Sequence, residues 1–209
     1  MERDDSMKKY EIGLYEKAMR NSLSWKEKLE CAKECGYDYL EISIDATEEK
    51  INRIYMNTEE KRRIMEAVFD TGIPIGSMSV SALTKYALGD PQEEVRKKAM
   101  EIAEKSIELA SDLGVRTVMI PGYDVYYGES TIETKRYFLE NIKKIAEIAE
   151  REGILVGFET MENEFMNTTG KALHYVNMID SAYLKIYPDA GNITNAAVAN
   201  KHDVCEDLS

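Results

Sequence analysis

The sequence predicts an α/β fold, a parallel (β/α)8 barrel of which about six βα units are present. Three observations predict it. Short apolar runs alternate with longer amphipathic segments in a steady rhythm. A glycine and one or two linking residues repeatedly carry the chain from helix to strand, as in GYDYLEIS, GIPIGSMS, GVRTVMIP and GILVGFET. No glycine-rich phosphate loop follows the first strand, which continues GLYEKAM, so an open nucleotide-binding sheet is disfavoured.

Six strands are expected at Glu11–Glu16, Tyr39–Ile44, Pro74–Val80, Thr117–Tyr123, Leu155–Met161 and Tyr183–Asp189. Each is mostly apolar until its end, as strands covered on both faces are. The first helix opens on Ser24 with Glu27 three residues later, a capping box, and runs to Gly36. The second runs from Thr58 to Asp70 and closes at Gly72. Asp90 and Pro91 are read as the N-cap and first residue of a long helix ending at Gly114. Further helices are expected from Thr131 to Glu152 and from Thr168 to about Ile179. After six strands the chain ends at Asp203–Ser209, inside what reads as a new helix. A closed barrel needs eight strands and about 250 residues. The sequence is therefore expected to be a C-terminally truncated barrel, with residues 1–9 a disordered leader and 10–209 one partial domain.

Composition narrows the function. With 44% hydrophobic residues, 209 positions supply one sizeable core, and no run is long and apolar enough to span a membrane. A net charge of −12 argues against a nucleic-acid partner, which requires a positive face. The charged N-terminus does not read as a signal peptide, and three cysteines make no secretory framework, so a cytoplasmic location is expected. Cys31 and Cys35, four apart on a helix, read as small packed side chains rather than a metal pair.

In parallel barrels the chemistry sits where strands end and βα loops begin. The polar residues there are Glu16, then Glu41 and Ser43, then Ser77, Ser79 and Ser81. Tyr123 and Asp124, Glu159 and Glu162, and Asp189 and Asn192 complete the set. Glu159 stands out in the apolar run VGFE, where an unpaired carboxylate would cost several kcal/mol by order of magnitude. Gly157, two residues earlier, clears space beneath it. Asp189 has a similar setting, with Pro188 and Gly191 forcing a sharp exit from the strand. Two hard oxygen donors on neighbouring strands suit Mg, Mn or Zn. Tyr126 and Tyr127 are read as a wall over the barrel mouth, and His174 and His202 as surface residues.

GLYEKA at 13–18, ASDLGVR at 110–116, PGYDVYY at 121–127, FETM at 158–161, MN at 166–167, KAL at 171–173 and YPDAGN at 187–192 together carry a resemblance. The chain resembles the L-ribulose-5-phosphate 3-epimerase (L-xylulose-5-phosphate 3-epimerase) group of the xylose-isomerase-like TIM barrel superfamily. That resemblance implies an isomerase of EC 5.1.3 type in pentose phosphate interconversion and ascorbate utilisation. It implies a divalent metal held by Glu, Asp, His and Glu from successive late strands. Glu159 matches the first ligand and Asp189 the second; the other two belong to strands seven and eight. It further implies proton transfer at C3 of a ketopentose 5-phosphate through a cis-enediolate, with Glu159 as one of two catalytic carboxylates. Glu16, Ser79, Tyr123, Tyr126 and Asn192 are the substrate-binding candidates. The expected partners are a small sugar phosphate and a second copy in a homo-oligomer, a dimer, with no nucleic acid and no membrane. Where the group carries a Ser-x-His-Arg-like stretch this chain has Ser81, Ala82, Leu83 and Thr84, which puts phosphate contacts in question, with Lys85 a partial replacement. The alternatives are a non-catalytic fragment or pseudo-enzyme, and a hexulose-6-phosphate isomerase-like enzyme. A third, an endonuclease-IV-like phosphodiesterase, would need metal histidines and a basic face.

Overall fold

In the computed structural model, which describes residues 10–201 and 203–205, six parallel strands form one sheet in sequence order. They are β1 (Gly13–Tyr15), β2 (Tyr39–Ser43), β3 (Ile75–Ser79), β4 (Thr117–Pro121), β5 (Leu155–Glu159) and β6 (Leu184–Tyr187). The connecting helices are α1 (Trp25–Glu34), α2 (Glu48–Ile51), α3 (Thr58–Thr71), α4 (Glu93–Asp112), α5 (Ile132–Glu152), α6 (Thr169–Ile179) and α7 (Ala190–Asn200). This sequential parallel order is that of a (β/α)8 barrel wall. All six expected strands are present, each shorter than expected; at the first, Glu16 has already entered a 3-10 turn. The leader, His202 and most of the final helical pattern lie outside the described residues.

The helix boundaries follow capping chemistry. Ser24 accepts from the Glu27 amide while the Glu27 carboxylate accepts from the Ser24 amide, closing the expected box. Asn57 and Glu60 do the same for α3, and Gly72 ends it in the left-handed conformation at φ 72°. The reading of Asp90 and Pro91 as a helix start is corrected: α4 begins at Glu93 behind Gln92. Asp90 instead accepts the Gln92 amide through Oδ1, a turn that competes with the helix one step upstream. Among the described residues, no helix is long and apolar enough to cross a membrane.

The two faces of the sheet differ. Leu40 and Ile42, Val118 and Ile120, and Val156 and Phe158 are buried with the helices. Phe138 of α5 stacks near Phe158, Phe165 and Tyr175, with centroids 5.0–5.8 Å away. The alternate residues meet on the inner face, where Tyr15 lies 3.3 Å from Ser79 and Glu41 accepts from Ser77 at 2.6 Å. Tyr187 of β6 also donates to Glu41 of β2, at 3.0 Å. Four strand spacings would separate these residues by roughly 19 Å in a flat sheet. The sheet is therefore rolled, and its concave side is a barrel interior.

Glu16, expected to end the first strand and bind substrate, is corrected on both counts. It starts a 3-10 turn, Glu16–Ala18, and is 1% exposed. Its Oε1 accepts from Lys28 at 2.6 Å and Arg53 at 2.9 Å; its Oε2 accepts from Arg53 at 2.6 Å and the Ser43 amide at 2.9 Å. The Trp25 ring lies under both cations, 5.0 Å from Lys28 and 4.8 Å from Arg53. Burial alone would raise the Glu16 pKa. The hydrogen bond and charge of Arg53, then Lys28 and the Ser43 amide, outweigh it and hold the group at about 2. The cluster ties β1, α1, β2 and the 3-10 turn Asn52–Tyr55 together.

Arg53→Ala removes two hydrogen bonds from a buried carboxylate that Lys28 and Lys50 still face, so it should lose about 1–3 kcal/mol in urea unfolding. Because the folded pKa lies below the unfolded one, this stabilisation is full above about 4.5 and declines as pH falls towards about 2. Glu16→Gln should remove that part of the acid transition; an unchanged acid limb would contradict the assignment.

Candidate active site

At the C-terminal ends of the strands, Tyr15, Glu41, Ser79, Ser81, Met119, Glu159, Tyr187 and Asp189 line a cavity of about 370 Å³. Small-molecule sites of this volume are common, and this is the barrel end at which such chemistry sits. Glu159 and Asp189 thus share one pocket, on adjacent strand ends.

Thr160 fixes their relation. It is fully buried; its Oγ1 accepts from the Asp189 amide at 2.8 Å, and its carbonyl accepts from Asn192 Nδ2 at 3.0 Å. Asp189 caps α7: its Oδ1 accepts from the Gly191 and Asn192 amides, and its Oδ2 from Asn192 Nδ2 at 2.8 Å. Asn192, expected to contact substrate, instead orients Asp189. Gly157 is needed here, since a Cβ at that position would come within 3.0 Å of Tyr187 Cβ.

Glu159 has no such support. Burial raises its pKa first, and the charges of Asp189, Glu41 and Glu162 raise it further, to about 7. A half-buried carboxylate facing other carboxylates, with no hydrogen bond or cation lowering its pKa, is a group that a divalent cation would satisfy. The oxygen donors fit such an ion, but only as a pair. Among the described residues, no three His, Cys, Asp or Glu side chains group closely enough to hold a metal.

The other candidates separate. Ser79 lines the cavity with Tyr15. Tyr123 is buried and is not among the residues lining that cavity; its hydroxyl donates to Glu162 at 2.6 Å. Burial and that carboxylate push its pKa well above the usual phenol range. Tyr126 stacks edge-on against Tyr123 and Tyr127 and lines a different cleft, about 890 Å³, with Lys135, Lys171 and His174. The aromatic loop is therefore a wall of that cleft, and it is not among the residues lining the acid cavity. Asp124 anchors it: fully buried, its Oδ2 accepts from Ser130 and Thr134. Leu83 is packed into the apolar core. At the rim, Lys17 donates to Ser81 at 3.3 Å and pairs with Asp45. His174 is exposed, as expected, while Cys35 is exposed rather than packed.

Sequence reasoning noted Glu41 as a polar strand residue without giving it a role, and passed over Tyr187 and Thr160. Glu41 carried the same signal as Glu159, a lone carboxylate inside an apolar strand. Tyr187 had no local signal, because its partner lies 146 residues away.

Residues 29–206 match the family profile described as Xylose isomerase-like TIM barrel. The chain is 36% identical over 187 residues to the L-ribulose-5-phosphate 3-epimerase UlaE of Shigella boydii serotype 18. That alignment covers 90% of this chain and 66% of the relative, so the chain spans just under two thirds of that enzyme's length. Among solved structures, an L-ribulose 3-epimerase superposes with a TM-score of 0.73 at 18% identity, covering 88% of this chain and 62% of that one. A xylose isomerase-like TIM barrel protein from Mycobacterium smegmatis, in complex with magnesium, superposes with a TM-score of 0.69 at 16% identity, covering 88% and 66%.

In the folded, cation-free chain Glu159 keeps its proton to about pH 7, against about 4.5 when unfolded. Folding stability measured in a chelator should therefore fall as pH rises from about 4.5 to about 7. Glu159→Gln should flatten that decline, and a parallel decline in the variant would refute the shift.

Proposed function

The chain belongs to the xylose isomerase-like TIM barrel family, and on that premise we propose that it serves as a sugar-phosphate 3-epimerase. Its substrate in this reading is a ketopentose 5-phosphate, L-ribulose 5-phosphate or L-xylulose 5-phosphate. The observation that carries the reading is that Glu159 and Asp189, on adjacent strand ends, line one pocket, with Glu159 facing other carboxylates. The relative from Shigella boydii, 36% identical over 187 residues, is named an L-ribulose-5-phosphate 3-epimerase.

A carboxylate placed against C3 can exchange a proton with that carbon. In the proposed step the C3–H bond breaks and Glu159 takes the proton. The electron pair moves towards the C2 carbonyl, leaving an enediolate. Return of a proton to the opposite face of C3 inverts the centre. By the resemblance, the carboxylate on that face belongs to strand eight. Asp189, braced by Asn192 and the α7 amides, would hold a divalent cation together with Glu159. When bound, that ion would supply positive charge against the charge developing on the substrate oxygens. Tyr123 keeps Glu162 hydrogen-bonded beside the mouth, and the apolar outer core holds the two strand ends rigid.

Glu159→Gln should lower exchange of the C3 hydrogen of L-ribulose 5-phosphate with deuterated solvent by about 100-fold or more, with the circular dichroism spectrum unchanged. Exchange at the wild-type rate would refute the role. Asp189→Asn should weaken Mn binding by roughly 10- to 100-fold in calorimetry; wild-type affinity would show that Asp189 is a helix cap alone.

A further inference from the structure

The cavity contains a second carboxylate that the proposed proton transfer does not use. Glu41 lies mid-strand in β2 between Leu40 and Ile42, both fully buried in the outer core. Strand alternation turns Glu41 the other way, into the barrel. Both of its hydrogen bonds fall on one oxygen: Oε2 accepts from Ser77 at 2.6 Å and from Tyr187 at 3.0 Å. Among the described residues, Oε1 accepts nothing and Glu41 has no ion-pair partner. The two donors come from β3 and β6, so the carboxylate is gripped from both sides and cannot rotate freely.

This is a fixed, charged acceptor with one oxygen open to a cavity. It is not a third metal donor, since Glu41, Glu159 and Asp189 do not group around one point. A second anion would be repelled, and an apolar group against Oε1 would leave that oxygen unpaired. A neutral hydroxyl is the chemistry that satisfies Oε1, because a carboxylate bonds O–H donors more strongly than a neutral acceptor does. The hydroxyls of Tyr15 and Ser79, 3.3 Å apart on the neighbouring strands, extend the same polar wall.

We propose that Glu41 is a specificity-determining residue that accepts a hydrogen bond through Oε1 from one hydroxyl of an open-chain sugar lying in the cavity. This rests on the reading of the cavity as a sugar site. A site built to bond a hydroxyl discriminates strongly against the analogue that lacks it, because its own acceptor is then left unpaired.

The test is calorimetric titration of the chain with L-ribulose and its 1-, 3- and 4-deoxy analogues, for wild type and Glu41→Gln. Wild type should bind L-ribulose about 10- to 100-fold more tightly than one of the analogues. Glu41→Gln presents an amide donor in place of Oε1 and should bind that pair equally. Glu41→Asp keeps the charge but withdraws the oxygens by one methylene, and should lose the same discrimination if the glutamine variant does not fold. A uniform loss across all four ligands, discrimination retained in both variants, or no binding of L-ribulose by wild type would each overturn the inference. Discrimination of the expected kind without any C3 hydrogen exchange would overturn the epimerase reading alone. Exchange with discrimination untouched by either variant would do the reverse.

Discussion

Everything in this molecule depends on the sheet being rolled. A parallel sheet needs long crossovers, and each crossover lays a helix on its outer face. That face can then be wholly apolar, as Ile42, Ile120 and Phe158 show. Rolling does the opposite for the inner face, because it brings side chains from distant strands within bonding distance. The contact between Glu41 and Tyr187 exists only because of the curl. An interior of this kind can hold polar groups that no flat sheet could satisfy.

Three of the glutamates at that interior or its rim have different fates. Glu16 is neutralised by Lys28 and Arg53 and is held ionised far below the ordinary range. Glu41 is gripped by two hydroxyls on one oxygen. Glu159 has anions for neighbours and is driven towards its neutral form. Identical side chains thus become a clamp, an acceptor and a proton-transfer candidate through environment alone. The difference lies in who supplies the compensation: for Glu16 it is the protein, while Glu159 has none among the described residues.

The strands were readable because their outward residues, such as Val118 and Ile120 or Val156 and Phe158, must be apolar to meet helices. Their ends were not, since nothing in the residue type marks where the ladder stops, as at Glu16, which enters a 3-10 turn. The helix starts at Ser24, Thr131 and Thr168 were legible from capping chemistry, and each of these side chains does accept an amide of its first turn. Asp90 misled because an Asp in a turn and an Asp at a cap use the same side-chain bond. Glu159 and Asp189 were found because their charge conflicts with their surroundings. Glu16 conflicts as well, but the cations that resolve it stand 12 and 37 residues away. Sequence shows that a buried charge needs a partner; only the fold shows whether the partner is protein or ligand.

The clamp around Glu16 also bears on how such a sequence can drift. Its carboxylate, the two cations that bond to it and the indole beneath them make one electrostatic unit spread over the first quarter of the chain. Glu16 faces three buried cations, Lys28, Lys50 and Arg53, so losing the carboxylate leaves them without compensation, whereas replacing the whole set by well-packed apolar groups need cost little. The favourable endpoints are therefore separated by unfavourable single steps. These positions are free to vary as a set but not one at a time, a barrier set by solvation rather than by catalysis.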